Sequence, residues 1–332
     1  MKSMRFKADG TFRIVQFTDP EFAHLDEEEA RMTGMMLEII EAEKPDLVVY
    51  TGDVIASAGH ADPASAFRRA CEVPERTKTA WAAVFGNHDS EGAVTREQLH
   101  AIQLTYPRNA AKPDAPGVHG AGNYVLTIEG RAQRAAAALY FLDSGSYSPL
   151  EYSRMGFYDW IRRDQIDWYA RASHRLACDN GGVPLPALAF FHVPLPEYND
   201  VWDFGVCYGE RNADFCCAPW INSGMFAAMI EQGDVMGTFV GHDHGHDYWG
   251  EWHGIRLCYG RTTRNAYLGK PFLPGARVIE LREGERSFDT WIRLADGSVL
   301  KAQPRHEPTG RTPQIGAMGT DKYKRAGSEP AG

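Results

Sequence analysis

The chain has 332 residues, of which 43% are apolar and 24% are charged, and its formal net charge is −9. This size and composition predict one compact domain with a large core and argue against disorder, except near the C-terminus. The negative balance excludes a basic surface of the kind that releases counterions from a nucleic-acid backbone. DNA and RNA are therefore not expected as partners.

The sequence contains no membrane-targeting signal that we can recognise. No run of about 18 uninterrupted apolar residues occurs, and the N-terminus lacks the apolar centre of a signal peptide. We therefore expect a cytoplasmic protein with no membrane partner. The six cysteines include no C-x-x-C pair, so a zinc ribbon is not expected. Because the chain shows no export signal, we expect reduced thiols rather than disulfides, unless a leader peptide has been removed.

Strand-like apolar runs recur along the chain, and each ends abruptly in polar residues. In chain order they are FRIVQFTD (12–19), DLVVYTGD (46–53), AWAAVFGNHD (80–89), LYFLDSG (139–145), LAFFHVP (188–194) and VMGTFVGHDH (235–244). Between the first two, Asp26 and Glu29 form an N-capping pattern, and an apolar helical stripe follows until Pro45. Further amphipathic helices are predicted for TREQLHAIQL, RRDQIDWYARASHRLA and APWINSGMFAAMIEQG.

The long apolar runs predict strands that are covered on both faces, which requires layers packed above and below the sheet. The C-terminal third changes to DYWGEWHGIRLCYGR, ARVIELREG and SFDTWIRLADGS, which predict antiparallel strands with glycine turns. The sequence thus predicts a single α/β domain over residues 1–302 that finishes in a β-meander. Residues 303–332 are rich in Gly, Pro and charge and predict an extended or disordered tail.

Side chains with metal-binding atoms follow most of these runs. They are Asp19 with Glu21, Asp53, Asn87 with His88 and Asp89, His192, and His242 with Asp243 and His244. Taken singly, each has another explanation, because an aspartate often caps a turn and a buried histidine is often a core residue. Together they favour one ligand site, since strand ends gather along one edge of an α/β sheet. Carboxylate, carboxamide and imidazole ligands suit Mn, Fe or Zn.

The succession of GD, GNHD, H and GHDH after an initial aspartate resembles the calcineurin-like metallophosphoesterase superfamily, which includes the purple acid phosphatases. Over residues 11–283, stretches such as YFLDSGSYS, FFHVPLPEY and LCYGR are similar to the small single-domain branch named "probable inactive purple acid phosphatase" in plants, and to related fungal phosphatases. The resemblance implies a four-layer α-β-β-α sandwich with mixed sheets, in agreement with the strands predicted above.

The resemblance also implies a role for each polar position. Asp53 would bridge two metal ions, because a carboxylate can be shared between metals whereas an imidazole nitrogen cannot. The other ligands would divide into Asp19 and His244 for the first ion, and Asn87, His192 and His242 for the second.

The implied reaction is hydrolysis of phosphate esters by a bridging water that two metal ions, about 3.5 to 4 Å apart, activate together. His88 would donate to the phosphate or the leaving oxygen, and Asp89 would orient the His88 ring from behind. Whether the substrate is a small-molecule monoester or diester stays open, and the oligomeric state is not predicted.

One position departs from the family. The family commonly has a histidine two residues after the first aspartate, and purple acid phosphatases use a tyrosine after the GD motif, but this chain has Glu21 and GDVIA. Glu21 is the candidate ligand of the first metal, where the added negative charge would favour a harder ion. Two alternatives remain: a weak or empty first site, and substitution by a nearby histidine such as His24.

The segment 197–224 follows His192 directly and is rich in aromatic residues and cysteines. It is either a loop over the metals or a packed crossover. In the first case, the substrate would contact Asn87, His88, Tyr198, Trp202, Tyr208 and Arg211. His246 and Asp247 are candidates to orient the GHDH imidazoles, and Cys216 and Cys217 are expected to be packing residues.

Three functions therefore remain. The leading one is a metal-dependent phosphoric ester hydrolase. The second is a hydrolase of another ester, such as a phosphotriester or a phosphonate. The third is a metal-binding regulatory module that has lost turnover through the change at Glu21.

Overall fold

The computed structural model describes residues 4–24, 26–149, 156–212, 216–264 and 272–310. The strands are β1 (Thr11–Phe17), β2 (Leu47–Thr51), β3 (Ala80–Val84), β4 (Tyr124–Glu129), β5 (Ala135–Phe141), β6 (Ala187–Phe190), β7 (Cys207–Tyr208), β8 (Val235–Val240), β9 (Trp249–Trp252), β10 (Ile255–Tyr259), β11 (Gly275–Arg282), β12 (Phe288–Leu294), β13 (Val299–Leu300) and β14 (Arg305–His306). The helices are α1 (Glu27–Glu43), α2 (Pro63–Arg76), α3 (Arg96–Gln103), α4 (Arg163–Asp179), α5 (Glu197–Phe204) and α6 (Met225–Gln232).

The strands form two mixed sheets. The first has the order β13-β12-β11-β1-β2-β3, and the second has the order β14-β7-β9-β10-β8-β6-β5-β4. Strands β1, β2 and β3 are parallel, as are β5, β6, β8 and β10. Strands β11, β12 and β13 extend the first sheet as an antiparallel meander beside β1. The predicted α/β class is confirmed, and so is the C-terminal β-meander for β11, β12 and β13. The meander prediction is wrong for DYWGEWHGIRLCYGR, which forms β9 and β10 in the second sheet, where β10 pairs parallel with β8.

The core has three layers because both faces of both sheets are covered. Along β1, Ile14 faces the core between the two sheets, whereas Val15 packs towards α1, α2 and α3. On the second sheet, Phe190 lies between the sheets, and Phe191 packs in the outer core with α4, α5 and α6. This arrangement is the predicted four-layer α-β-β-α sandwich, and it explains why the strand runs are apolar without alternation.

Local capping fixes where two helices begin. The Asp26 carboxylate accepts a hydrogen bond from Glu29 N at 2.8 Å at the start of α1. Thr95 and Gln98 form a reciprocal capping box at the start of α3. Each such cap stabilises its helix by about 1 kcal/mol. Helix α6 begins later than the sequence predicts, because Gly224 adopts a φ of 86° and the preceding residues do not form a helix.

The C-terminal segment adds an edge strand. Strand β14 pairs with β7, and the His306 ring stacks on Trp202 with centroids 3.7 Å apart. Residues 303–310 thus run extended along the larger sheet, whereas residues 311–332 of the predicted tail lie outside the described residues. Within the described ranges, no helix combines the length and apolar character that a membrane span requires.

Candidate metal centre

The ends of β1, β2, β3, β6 and β8 meet at one edge of the sandwich. Asp19 N donates to Gly52 O at 3.2 Å, which joins the loops after β1 and β2. His88 N donates to Asp53 Oδ1 at 2.8 Å, and Gly241 N donates to His192 O at 3.2 Å. The predicted convergence of polar side chains therefore takes place.

The backbone at this edge adopts an unusual conformation. Asp19, Glu21, Asp53 and His242 have φ values of 53°, 47°, 46° and 79°. These angles lie in the left-handed region, which residues with a side chain rarely adopt and which is enriched at functional sites. They make up half of the eight such non-glycine residues in the described chain. Strain is thus concentrated where the candidate ligands lie.

Two glycines allow the strand ends to approach one another. A side chain at Gly86 would overlap Asp53 Oδ1 and the His192 ring, and one at Gly241 would overlap Thr18 Oγ1. Only a residue without Cβ fits at either position, so the glycines of GNHD and GHDH serve close packing.

Asp53 is common to three groups of candidate ligands. The atoms of each group lie within 4.8 Å of one another, and the groups are Asp53 with His192 and His242, Asp19 with Asp53 and His244, and Glu21 with Asp53 and His88. Ligands about 2.1 Å from a shared ion lie up to about 4 Å apart, so the spacing fits cation binding. Asp53 therefore lies beside both the His192–His242 pair and the Asp19–His244 pair.

The contacts of His192 favour a cation beside Asp53. Its Nδ1 lies 2.8 Å from Thr51 O and must donate there, because a carbonyl oxygen only accepts. Its Nε2 then presents a lone pair towards Asp53 Oδ2 at 3.0 Å. Two acceptors at this distance repel unless a proton or a metal ion lies near both.

Two nearby side-chain atoms are buried without a hydrogen bond among the described residues, Asn87 Oδ1 and His242 Nε2. Of these, Asn87 Oδ1 is the candidate ligand atom, because the His242 ring meets His192 Nε2 through Nδ1, at 3.2 Å. Leaving a buried acceptor unpaired costs about 1–3 kcal/mol, and coordination to a metal would remove that cost. Asn87 Nδ2 donates to Tyr147 OH at 3.0 Å, so Asn87 Oδ1 faces away from that hydroxyl. The residues present therefore fit a metal ion.

The group that contains Asp19 and His244 is the candidate site for the first ion. Asp19 itself is 1% exposed. His244 Nε2 lies 3.5 Å from Asp19 Oδ1 and 3.5 Å from Glu21 Oε1. Glu21 Oε2 faces Arg264 Nη1 at 3.3 Å. His24, the alternative ligand, is exposed and stacks on His60 at 5.6 Å. The structure thus places Glu21, rather than His24, beside Asp19 and His244.

The pKa values describe a centre that attracts positive charge. Burial opposes ionisation of Asp53, but His192 outweighs it and lowers the pKa of Asp53. Burial would lower the pKa of His192, yet Asp53 raises it to about 9. The pKa of His244 rises to about 9 for the same reason, beside Asp19. Burial lowers the pKa of His242 to about 4, which keeps the ring neutral as a ligand must be.

Asp89 does not have its predicted role. Its carboxylate accepts hydrogen bonds from Gly86 N at 2.7 Å and Ile55 N at 2.9 Å, so it fixes the loop backbone. Burial raises the pKa of Asp89 to about 7. The His88 ring is held instead by Glu91, whose Oε2 lies 2.8 Å from His88 Nδ1. The prediction that Asp89 orients the His88 ring is wrong.

The prediction for Asp247 is also wrong. Asp247 accepts from Glu210 N at 2.7 Å and from Arg261 Nη1 at 2.7 Å, so it links two loops rather than an imidazole of GHDH. His246 lies edge-on to Tyr259 at 5.0 Å, and one of its ring nitrogens lies within 4.8 Å of Asp243. His246 therefore supports the loop through Asp243.

Cys216, Asp243 and His246 form a further compact group. Asp243 already accepts from Tyr259 OH at 2.6 Å and from Cys217 N at 3.1 Å. Burial raises the pKa of the Cys216 thiol to about 12, so it stays protonated. These contacts favour a hydrogen-bonded support for the GHDH loop over another ion site.

Residues 197–211, the first part of the segment after His192, are a packed crossover. Tyr198 is fully buried, and its hydroxyl lies 2.8 Å from Thr238 Oγ1 in β8. Trp202 stacks on His306, Tyr208 stacks on Trp249 at 4.7 Å, and the Arg211 guanidinium lies 5.3 Å from the Trp202 ring. These four side chains pack against the second sheet and its edge. The prediction that they contact substrate is wrong for Tyr198 and unsupported for the other three.

The sequence reasoning missed four residues near the centre: Glu91, Tyr147, Tyr158 and Arg264. Glu91 lies three residues after His88 in a short 3-10 turn, and that spacing was a usable signal. Tyr147 belongs to the YFLDSGSYS stretch. The Tyr158 ring lies 4.3 Å from His242, edge to face, and no local pattern indicates that contact.

Comparisons with known proteins show the family and the fold. Residues 12–246 match the family model described as calcineurin-like phosphoesterase. The chain is 35% identical to "Probable inactive purple acid phosphatase 29" of Arabidopsis thaliana, over 91% of this chain and 87% of that protein. It is 31% identical to "Phosphatase DCR2" of Saccharomyces cerevisiae, over 86% of this chain and 54% of that protein. A dimetal phosphatase from Danio rerio has a similar fold, with a TM-score of 0.55 and 15% identity over 84% of this chain and 98% of that one.

Proposed function

This chain belongs to the calcineurin-like phosphoesterase family, and from that premise we propose that it hydrolyses small-molecule phosphate esters with two metal ions bound on either side of Asp53. The observation that carries the proposal is the position of the Asp53 carboxylate, which lies within 4.8 Å of both the His192–His242 pair and the Asp19–His244 pair. A carboxylate has two oxygens and can bind one ion through each. Two-metal centres built in this way are suited to displacement at phosphorus.

The family resemblance assigns the residues that would hold the ions, and the contacts around Asp53 support the assignment. Asp19, Glu21, Asp53 and His244 would hold the first ion, and Asp53, Asn87, His192 and His242 the second. Their oxygen and nitrogen donors suit Mn, Fe or Zn. When bound, two such ions supply a water of lowered pKa and positive charge for the phosphoryl oxygens.

The chain itself positions these ligands. Thr51 O fixes His192 Nδ1, so that Nε2 is presented to the site. His242 N donates to Asp19 Oδ1 at 3.0 Å, which links the two ligand groups through the backbone. Asn87 offers a neutral oxygen, which would leave the second ion a stronger Lewis acid than a carboxylate would.

His88 is suited to act on the substrate directly. Its side chain is 38% exposed, and it lies beside Asp53 and Glu21. With Nδ1 bonded to Glu91, Nε2 can donate a proton to a phosphoryl or leaving-group oxygen. Burial lowers the pKa of His88, but Asp53 and Glu91 outweigh it and raise the pKa overall, which favours the protonated donor.

A second candidate is a metal-binding protein with little or no turnover. Arg264 Nη1 lies 3.3 Å from Glu21 Oε2 and adds positive charge beside the first ion site, which would weaken it. The relative from Arabidopsis thaliana also carries the word "inactive" in its name.

One experiment distinguishes the hydrolase from the metal-binding protein without turnover. Protein loaded with Mn, Fe or Zn is analysed for metal content and assayed on an aryl phosphate, a bis-aryl phosphodiester, an aryl phosphotriester and an aryl phosphonate. We expect two ions per chain and turnover of the monoester or the diester. Two bound ions with no hydrolysis would favour the second candidate, turnover of the triester or phosphonate alone would redefine the substrate class, and absence of metal would overturn both candidates.

A further inference from the structure

We infer that Tyr147 and Glu91 form a positioning pair that orients the ligand Asn87 and the substrate-facing His88 at the same time. The inference rests on the proposed function for the roles of Asn87 and His88. Neither Tyr147 nor Glu91 belongs to the ligand groups around Asp53.

The contacts form one continuous chain of hydrogen bonds. Asn87 Nδ2 donates to Tyr147 OH at 3.0 Å, Tyr147 OH in turn donates to Glu91 Oε1, and Glu91 Oε2 lies 2.8 Å from His88 Nδ1. The directions are fixed by chemistry, because an ionised carboxylate only accepts. Tyr147 must therefore give its proton to Glu91, which leaves its oxygen lone pairs for the Asn87 amide.

The direction of these hydrogen bonds determines which way the Asn87 carboxamide faces. The oxygen and nitrogen of a carboxamide are almost equal in shape, so hydrogen bonds decide its orientation. The Tyr147 hydroxyl accepts from Nδ2 and thereby turns Oδ1 into the centre, where Oδ1 is buried without a hydrogen bond. Without the hydroxyl, either orientation would be open, and one of them withdraws the ligand oxygen.

The same carboxylate determines the state of the His88 ring. Glu91 holds the proton on His88 Nδ1, which sets the ring orientation and leaves Nε2 for the substrate. Glu91 is itself anchored, because Glu91 N and Gly92 N donate to Ser57 Oγ at 2.8 and 3.0 Å, and Ser57 Oγ donates to His88 O at 2.6 Å. The 3-10 turn and Ser57 thus hold Glu91 rigidly against His88.

The exposure of Tyr147 argues against a purely structural role. Tyr147 is 41% exposed, and its ring stacks on that of Tyr158 with centroids 5.9 Å apart. Its hydroxyl contacts only the positioning chain among the described residues. Removing one hydroxyl from such a position should leave folding almost unchanged, so its effect on the centre can be measured separately.

The test compares Tyr147→Phe and Glu91→Gln with the parent and with Tyr208→Phe, a matched control on β7. Metal affinity is measured by calorimetric titration with Zn or Mn, and retained metal is measured after dialysis. Loss of a partner that orients a ligand typically weakens metal affinity or activity by about 10- to 100-fold. We expect Tyr147→Phe to weaken one of the two ions at least tenfold and to leave the other unchanged, with a thermal midpoint equal to that of the parent.

The hydrolysis readout isolates the role of Glu91. We expect Glu91→Gln to lower kcat about tenfold with little change in KM, and to make the rate depend more steeply on the leaving group, because proton donation from His88 is impaired. Parent-like metal affinity in Tyr147→Phe, or parent-like kcat and leaving-group dependence in Glu91→Gln, would overturn the inference. If the parent binds two ions but hydrolyses no ester, the proposed function fails, and the metal titration of Tyr147→Phe alone decides the inference.

Discussion

The strand ends and the segment from Glu197 to Arg211 were both candidates to line the site, but they have different uses. At the strand ends, the carboxylate and imidazole side chains gather around Asp53. In the segment, which follows His192 directly, Tyr198 bonds to Thr238 and Trp202 stacks on His306, so these aromatic side chains serve packing. Nearness to His192 in sequence therefore does not make a side chain available for chemistry, whereas a position at the sheet edge does.

The variant with the largest expected effect on metal binding and hydrolysis is Asp53→Asn. We expect metal content to fall from two ions to none and hydrolysis to fall below detection, because a carboxamide cannot place a charged oxygen on each ion. The acceptor for His88 N remains, so the fold should persist. Elemental analysis and the ester assay measure both effects. Asp200→Asn in α5 is the control in the other region and should match the parent. Retention of both ions in Asp53→Asn would contradict the proposed centre.

A smaller effect is expected for Glu21→Gln. The change removes one negative charge facing His244, and we expect the first ion to bind about 10- to 100-fold more weakly while the second is retained. Glu28→Gln is the matched control, because Glu28 also contacts Arg264, at 3.4 Å. Metal affinities of both variants are compared by titration. Unchanged stoichiometry and affinity in Glu21→Gln would remove Glu21 from the ligand set.

The smallest effect on activity is expected for Tyr198→Phe. The buried hydroxyl bonds to Thr238, so its loss should lower the free energy of unfolding by about 1 kcal/mol. Because this ring lies in the outer core, kcat and KM should equal those of the parent. Chemical denaturation and steady-state kinetics on the same sample measure both. A changed KM with unchanged stability would mean that the segment reaches the substrate after all.

Most of the fold could be predicted because apolar runs and strand-end signals are local. The runs that end in Asp19, Asp53, Asn87, His192 and His242 became strands, and parallel pairing aligns the strand ends within each sheet. The contact of His192 with Thr51 then joins the ends of the two sheets. The capping pattern at Asp26 likewise predicted the start of α1.

Most of the remainder could not be predicted because it depends on contacts between residues far apart in sequence. The exception is the turn after β3, where Glu91 contacts the His88 ring and Asp89 accepts from Gly86 N, both over three positions. Tyr147 reaches Glu91 across 56 positions, and Trp202 meets His306 across 104. The sequence identified the candidate site residues. Only the packed structure distinguishes a side chain that lines the centre from one that supports a neighbouring sheet.

The pairing of β14 with β7 also has a bearing on where the folded unit stops. These two short strands form the outer margin of the eight-stranded sheet, and His306 covers the Trp202 indole there. A protein shortened to residue 302 would keep the pairing of β7 with β9 but leave the backbone groups of β7 that face β14 unpaired, next to an uncovered Trp202 ring. Unprotected margins of this kind recruit strands from other molecules. We therefore expect that removal of β14 would promote self-association of the protein.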